Sequence, residues 1–285
     1  MNFHSRLVAG ALFALAPLSQ INAQNAGKTM AMDFRATVSV QGQPDTSVIV
    51  GHAVGNGEKM RLDVKGAPSP GSNLTSDSVV TMVVTDSGKT ITFLNTKQSQ
   101  YFQVRPAEMV TQAQQMGAMK MEFSGTQAKV DSLGAGPSTL GHPTTHYRVT
   151  TGMTMTVSAM GQQQVVKFSS VADNYYATDL TGSLNPFSSV SSGDMASMFA
   201  SNNAEFAKQL KEMRAKLPKG TQLRALNSAT IVAQGMTRVT TSLAEVTGLQ
   251  WVSADPKAYD IPANYKQVQL PGLAGPASGG AIPPK

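Results

Sequence analysis

The chain has 285 residues, of which 41% are hydrophobic and 14% are charged, and it contains no cysteine. Its formal charge of +6 is modest, and apart from one helical stretch its basic residues are scattered rather than clustered with aromatic residues, which argues against nucleic-acid binding. Without cysteine no disulfide can stabilise the fold, so stability depends on apolar burial and on hydrogen bonds between strands.

The first residues follow the three-part pattern of a secretory signal. Arg6 precedes an apolar run from Leu7 to Leu18, and small residues end at Ala23. The run is shorter than the ~20 residues of a membrane-spanning helix, and Pro17 would interrupt such a helix. We therefore expect residues 1–23 to be a cleaved signal peptide and the mature chain to be a periplasmic protein, or an extracellular one, that is not integral to the membrane.

Alternating apolar and polar residues predict long strands with one wet face. From Thr29 to Val40 every second residue is apolar, and the same alternation returns at Lys59–Lys65 and at Thr145–Ala159. Parallel sheets are covered on both faces and give continuous apolar runs instead. The alternation therefore predicts an antiparallel sheet.

Further strands are predicted along the rest of the chain. A turn at Asp86–Lys89 joins Val79–Thr85 to Thr90–Leu94 in a hairpin. The other expected strands are Thr46–Val54, Gln100–Val104, Lys120–Val130, Val165–Val171, Gln222–Ala233 and Met236–Val252. A sheet of this many strands curls. The expected fold is mainly β with α: a strongly curved antiparallel sheet, or half-barrel, wrapped around one or two helices.

Two helices are predicted to fill the curved sheet. One spans about residues 106–117 and starts at Pro106, and the other spans residues 194–217, from a capping Asp194 to the residue before Pro218. The basic face of the second helix is either simply solvated or in contact with anionic lipid; it comprises Lys208, Lys211, Arg214 and Lys216. Residues 24–269 form one expected domain, and the Pro/Gly-rich residues 270–285 form a disordered tail.

The sequence carries no recognisable catalytic constellation. It lacks a Gly-x-Ser-x-Gly motif and a phosphate-binding loop, and Gly134–Pro137 is interpreted as a turn. On a strand, His142 and His146 lie about 13 Å apart, too far to share a metal ion, and are interpreted as a turn histidine and a solvent-facing histidine. The methionines fit an apolar core or pocket better than a Cu(I) site. We expect no enzyme, no cofactor and no metal centre.

Several segments together resemble bacterial periplasmic proteins of the lipoprotein-carrier superfamily. They are the strand Gly57–Asp63, the hairpin that reaches Tyr101, the turn Leu140–Pro143 leading to Tyr147–Val149, and the closing Ile261–Tyr265. The resemblance covers most of Thr29–Tyr265. It implies a curved antiparallel sheet around helices that cover an apolar cavity, and binding of an acyl chain or another apolar ligand.

The leading hypothesis is a non-enzymatic exported protein that binds or shields a hydrophobic molecule such as a lipid. The candidate lining residues are Met30, Met32, Phe34, Tyr147, Met153, Met155, Phe199 and Phe206. These side chains are equally suited to a plain core. The alternative is a structural or interaction protein of the envelope, whose sheet edge or tail engages another envelope protein.

Overall fold

The computed structural model describes residues 27–55, 58–66, 79–86, 89–105, 120–159, 162–180 and 204–268. Twelve strands lie in these ranges: β1 (Lys28–Val40), β2 (Thr46–Gly55), β3 (Met60–Lys65), β4 (Val79–Thr85), β5 (Thr90–Asn95), β6 (Gln100–Val104), β7 (Lys120–Thr139), β8 (His142–Ala159), β9 (Gln162–Ala177), β10 (Thr221–Ala233), β11 (Met236–Ser253) and β12 (Lys266–Gln267). One α-helix, α1, spans Ala204–Lys216, and a short 3-10 helix spans Pro256–Tyr259.

All twelve strands belong to one sheet, in the order β12-β6-β5-β4-β3-β2-β1-β11-β10-β9-β8-β7. Every neighbouring pair is antiparallel except β12 and β6, which are parallel. The long β1–β11 pair joins two meanders, one running from β1 to β6 and one from β7 to β11. The sheet is not closed, and it curves as a half-barrel around α1, which confirms the predicted fold class.

Several strand assignments from the sequence were wrong or incomplete. The strand predicted at Val165–Val171 extends in both directions to form β9, Gln162–Ala177. Gly134–Pro137, interpreted as a turn, lies within β7, which continues to Thr139. The strand accommodates these residues through register shifts between Ser132 and Gly134 and between Gly136 and Thr139, and Gly134 adopts a φ of 90°. The two-residue β12 was not predicted, because so short a segment has no periodicity to detect.

The helix prediction is tested only in part. Residues 204–216 form the C-terminal part of the helix predicted at 194–217. Residues 194–203, the helix predicted at 106–117, the signal peptide predicted at 1–23 and the tail predicted at 270–285 lie outside the described residues, and these assignments stay predictions.

Register separates the side chains of the sheet into two faces. Directly paired residues of neighbouring strands project to the same side, so Phe34, Gly51 and Val64 share one face across β1, β2 and β3. This is the concave face, on which α1 packs. Its main core cluster comprises Met30, Met32, Phe34, Ala53, Met60, Leu62, Val64, Val84, Ala177, Leu180, Leu223 and Val246.

A C-terminal strap, residues 254–268, covers part of the convex face. Tyr259 in its 3-10 helix packs with Val83 and Leu94 of β4 and β5. Arg61 Nη1 donates to the carbonyl oxygen of Ala258 at 3.4 Å. The strap then ends in β12, which pairs with β6 and so covers that edge of the sheet.

Candidate functional site

Helix α1 packs on the concave face through three apolar side chains. Phe206 and Leu210 are four residues apart and therefore project to one side of the helix, with Met213 one turn on. Phe206 is fully buried, and with Leu210 it contacts Met153 of β8. Phe123, Ala128 and Phe168 surround this cluster, which therefore joins α1 to β7, β8 and β9.

The three predicted lining residues of β1 lie in the main cluster of the concave face. Met30, Met32 and Phe34 are 1–2% exposed. Phe34 pairs with Gly51 of β2, and a Cβ atom at residue 51 would overlap the Phe34 ring. Glycine at this position therefore makes room for the aromatic ring in the core.

The predicted residues of β8 share this face. Tyr147 pairs with Asn174, Met153 with Phe168 and Met155 with Val166, all on the side that faces α1. Tyr147 and Met155 are only half-buried, so they line the concave face without being enclosed by it. The structure thus brings seven of the eight predicted residues to one face, while Phe199 lies outside the described residues. Their role in binding stays a prediction.

Tyr176 of β9 stands edge-on to Tyr147 of β8. The two ring centroids are 6.1 Å apart, with an interplanar angle of 83°. Burial of the Tyr176 side chain disfavours the phenolate and raises its pKa to about 12. The hydroxyl of Tyr176 therefore stays neutral throughout the physiological range.

The two faces of the sheet differ sharply in charge. Register places these charged strand residues on the convex face: Asp33, Arg35, Arg61, Asp63, Lys65, Glu122, Lys129, Asp131, Arg148, Lys167, Asp173, Arg224 and Glu245. Among the described strands β1–β11, charged residues at concave-facing positions are confined to Lys28 at the start of β1 and Arg238 beside the β10–β11 turn. The middle of the concave face is uncharged.

Two pairs of uncharged polar side chains lie on the concave face between β9 and β10. Gln222 Nε2 donates to Asn174 Oδ1 at 2.6 Å, and Ser170 Oγ donates to Asn227 Oδ1 at 2.7 Å. The Asn174–Gln222 pair was not predicted from the sequence. Asn174 lies two residues before Tyr176, so the two side chains were predictable to share a face of β9. Gln222 reaches Asn174 only because the pairing of β10 with β9 shifts between Gln222 and Arg224.

The convex face carries the ionic interactions of β8 and β9. Arg148 Nε and Nη2 each donate to Asp173 at 2.9 Å, and His146 Nε2 lies 3.0 Å from the same carboxylate. The hydrogen bonds from Arg148 hold the pKa of Asp173 below its usual value near 3.8. His146 also stacks on Tyr175, with ring centroids 4.5 Å apart.

The two histidines interpreted from the sequence therefore have separate partners. His142 Nδ1 lies 2.7 Å from Asp179, whereas His146 is bound to Asp173. The interpretation of His146 as solvent-facing was too simple, because stacking on Tyr175 leaves its side chain only 19% exposed. His142 is the first residue of β8 rather than part of a turn.

Within the described part of the chain, no helix combines the length and the apolar character that crossing a membrane requires. No protein-family model matches the chain, and no curated protein is similar to it at a significant level.

The chain is similar, at a low level, to several solved structures, including the following two. The structure of PNGF-II is 10% identical, has a TM-score of 0.30 and covers 84% of this chain, which spans only 31% of PNGF-II. A crystal structure of an outer membrane lipoprotein-sorting protein domain from Vibrio parahaemolyticus is 7% identical, has a TM-score of 0.28 and covers 85% of this chain and 94% of its own. At these TM-scores neither likeness carries an argument about function.

Proposed function

We propose that the protein binds a hydrophobic molecule, such as a lipid or an acyl chain, against the concave face of its sheet. The segregation of charge carries this proposal. In the described strands β1–β11, charged side chains other than Lys28 and Arg238 project to the convex face, while the middle of the concave face presents methionine, aromatic and aliphatic side chains. An apolar ligand would meet no unpaired charge there, and its burial would be driven by removal of apolar surface from water.

The chemistry of the lining suits a flexible ligand. Methionine side chains adapt to irregular shapes, and Met153 and Met155 lie side by side in register with the apolar residues of β9. The Asn174–Gln222 pair offers neutral hydrogen-bonding groups in the same face. We infer a ligand with a long apolar part and, where it has a polar group, an uncharged one.

Uptake of N-phenyl-1-naphthylamine, an uncharged apolar fluorophore, tests the proposal. We expect saturable fluorescence enhancement with the native chain and strong loss of it in Met155→Glu, which places a charge on the half-buried concave face. Thr154→Glu is the matched control, because Thr154 projects to the convex face opposite Lys167. Equal uptake by both variants, with unchanged circular dichroism, would refute binding at this face.

We propose that this function is non-enzymatic and requires no cofactor. We also propose that the protein is exported to the periplasm. This proposal rests on the signal-like pattern of Arg6 and Leu7–Leu18. Cleavage after Ala23 is checked by N-terminal sequencing of the protein isolated from its own cells.

The β7 edge of the sheet, at the opposite end from β12, favours a second function, the binding of a protein partner. Strand β7 has 20 residues and pairs on one side with β8, and no other described strand pairs with it. Such an edge can accept a strand from a partner, as expected for an envelope interaction protein. A photo-crosslinker at Lys129 of β7 should then trap a partner that the same group at Lys167, in the interior strand β9, does not trap. Equal results at both positions would contradict this alternative.

A further inference from the structure

Helix α1 has a basic side opposite its packed side. Phe206, Leu210 and Met213 face the sheet, whereas Lys208, Lys211 and Lys216 are exposed. Including the following Lys219, residues 204–219 contain five cationic side chains and two carboxylates, a net charge of +3 in a chain that is only 14% charged. Positive charge is therefore concentrated on the helix that covers the proposed binding face.

Among the described residues, the lysines of α1 lack the carboxylate partners that several cations of the convex face have. On the convex face, Lys129 lies 2.9 Å from Asp131 and Arg61 lies 3.0 Å from Asp63. Among the described residues, Lys208, Lys211, Lys216 and Lys219 form no ion pair or hydrogen bond with another side chain. Their charge is available to an external anionic surface.

We propose that α1 docks the protein on an anionic lipid bilayer, with Lys208, Lys211 and Lys216 against the lipid phosphates. A protein partner is disfavoured because stable protein interfaces are built around large apolar or aromatic anchors, and none of the exposed large apolar side chains lies on α1. A lipid surface requires only an array of positive charge. This proposal goes beyond ligand binding and does not depend on it.

Flotation of the full chain with lipid vesicles tests the docking. We expect the protein to float with vesicles of phosphatidylcholine and phosphatidylglycerol at low salt, but not with phosphatidylcholine alone, and to be released at high salt. The triple variant Lys208→Glu, Lys211→Glu and Lys216→Glu should lower the partition coefficient roughly tenfold or more.

The matched control makes the same change of net charge elsewhere. Lys89, Lys167 and Lys257 are exposed and lie in a turn, on the convex face and in the C-terminal strap. Their replacement by glutamate should leave most of the vesicle binding intact. An equal loss in both triple variants would mean that only net charge matters, and binding to phosphatidylcholine alone would exclude the electrostatic mode; either result overturns the proposal.

These experiments test docking through α1 independently of ligand binding at the concave face. Uptake of N-phenyl-1-naphthylamine by the α1 variant should match that of the native chain, because the three lysines point away from the concave face. Lost flotation with retained uptake therefore supports docking through α1. The triple variant Lys208→Gln, Lys211→Gln and Lys216→Gln should keep the helix and show an intermediate loss of vesicle binding. Full vesicle binding by this variant would contradict the role of the three charges.

Discussion

Gly51 lies directly opposite Phe34 in the β1–β2 pair, and the Phe34 ring occupies the space that a side chain at residue 51 would need. We expect Gly51→Ala to lower the free energy of unfolding by about 1–3 kcal/mol, because the added methyl group forces the ring to move in a packed core. Gly152→Ala is the matched control, since a Cβ at residue 152 of β8 meets its nearest atom at 3.6 Å, an ordinary contact. Urea denaturation measures both, and equal losses would contradict the packing of Phe34.

Tyr176 makes the free energy of unfolding depend on pH in the alkaline range. Its pKa in the folded state is about 12, against 10.0 in an unperturbed tyrosine. Between these values the unfolded chain has lost the proton that the folded chain retains, so stability decreases as pH rises, by about 2–3 kcal/mol for this group.

The variant Tyr176→Phe removes this titration but keeps the ring. We therefore expect the native chain to lose more stability than the variant when urea denaturation is repeated above pH 10. Because the comparison is between two chains at each pH, the other tyrosines and the lysines contribute equally to both. Parallel alkaline losses in the two proteins would show that Tyr176 is not buried as described.

At the scale of elements, the C-terminal strap stabilises the β4–β6 side of the sheet. Tyr259 is buried against Val83 and Leu94. We expect Tyr259→Ala to cost about 3 kcal/mol of stability, because it leaves a cavity on the convex face. Hydrogen exchange in β4–β6 should accelerate more than in β8–β9.

Tyr265 provides the control for the strap. Its side chain is only half-buried in the same cluster. The loss of stability in Tyr265→Ala should therefore be smaller than in Tyr259→Ala. Uniform acceleration of exchange across all strands would show instead that the strap stabilises the sheet globally.

The elements that could be predicted from the sequence are those with a clear alternation. The alternation over residues 29–40 predicted the extent of β1 and its concave-facing side, but the expected wet face was wrong at its start, because Thr29 and the apolar Ala31 are also buried. The β-bulges could not be predicted. The register shifts near Asp33 and near Gln222 depend on pairing with β11 and β9, and a local sequence pattern does not indicate which strands pair. Strand β7 was cut short for the same reason, since glycine and proline indicate a turn unless a partner strand accommodates them.

For the candidate site, the residues that share a face could be predicted from the sequence, but their degree of burial could not. The concave face follows from the parity of Met30, Met32 and Phe34 in β1 and of Tyr147, Met153 and Met155 in β8, and the register confirms that these residues share a face. Which of them are enclosed depends on where α1 packs: Met153 lies under Phe206, while Tyr147 and Met155 are half-buried. The resemblance to lipoprotein carriers and the binding of a ligand stay predictions.

At the scale of the whole molecule, we propose that the uncharged middle of the concave face of this open, curved sheet binds an apolar molecule. The molecule needs no cavity closed on all sides for this purpose, since α1 already covers the β7–β9 part of the face. Burial of a long apolar chain against such a face is favourable by about 25 cal/mol for each Å² of apolar surface removed from water.

Native mass spectrometry of the mature protein, purified in mild buffer from its own cells, is the test of this binding. We expect a species heavier than the polypeptide by the mass of one apolar molecule, which organic solvent extracts and which Met155→Glu retains poorly while Thr154→Glu retains it fully. A bare polypeptide mass, together with no uptake of N-phenyl-1-naphthylamine, would contradict ligand binding at the concave face and favour a partner bound at the β7 edge.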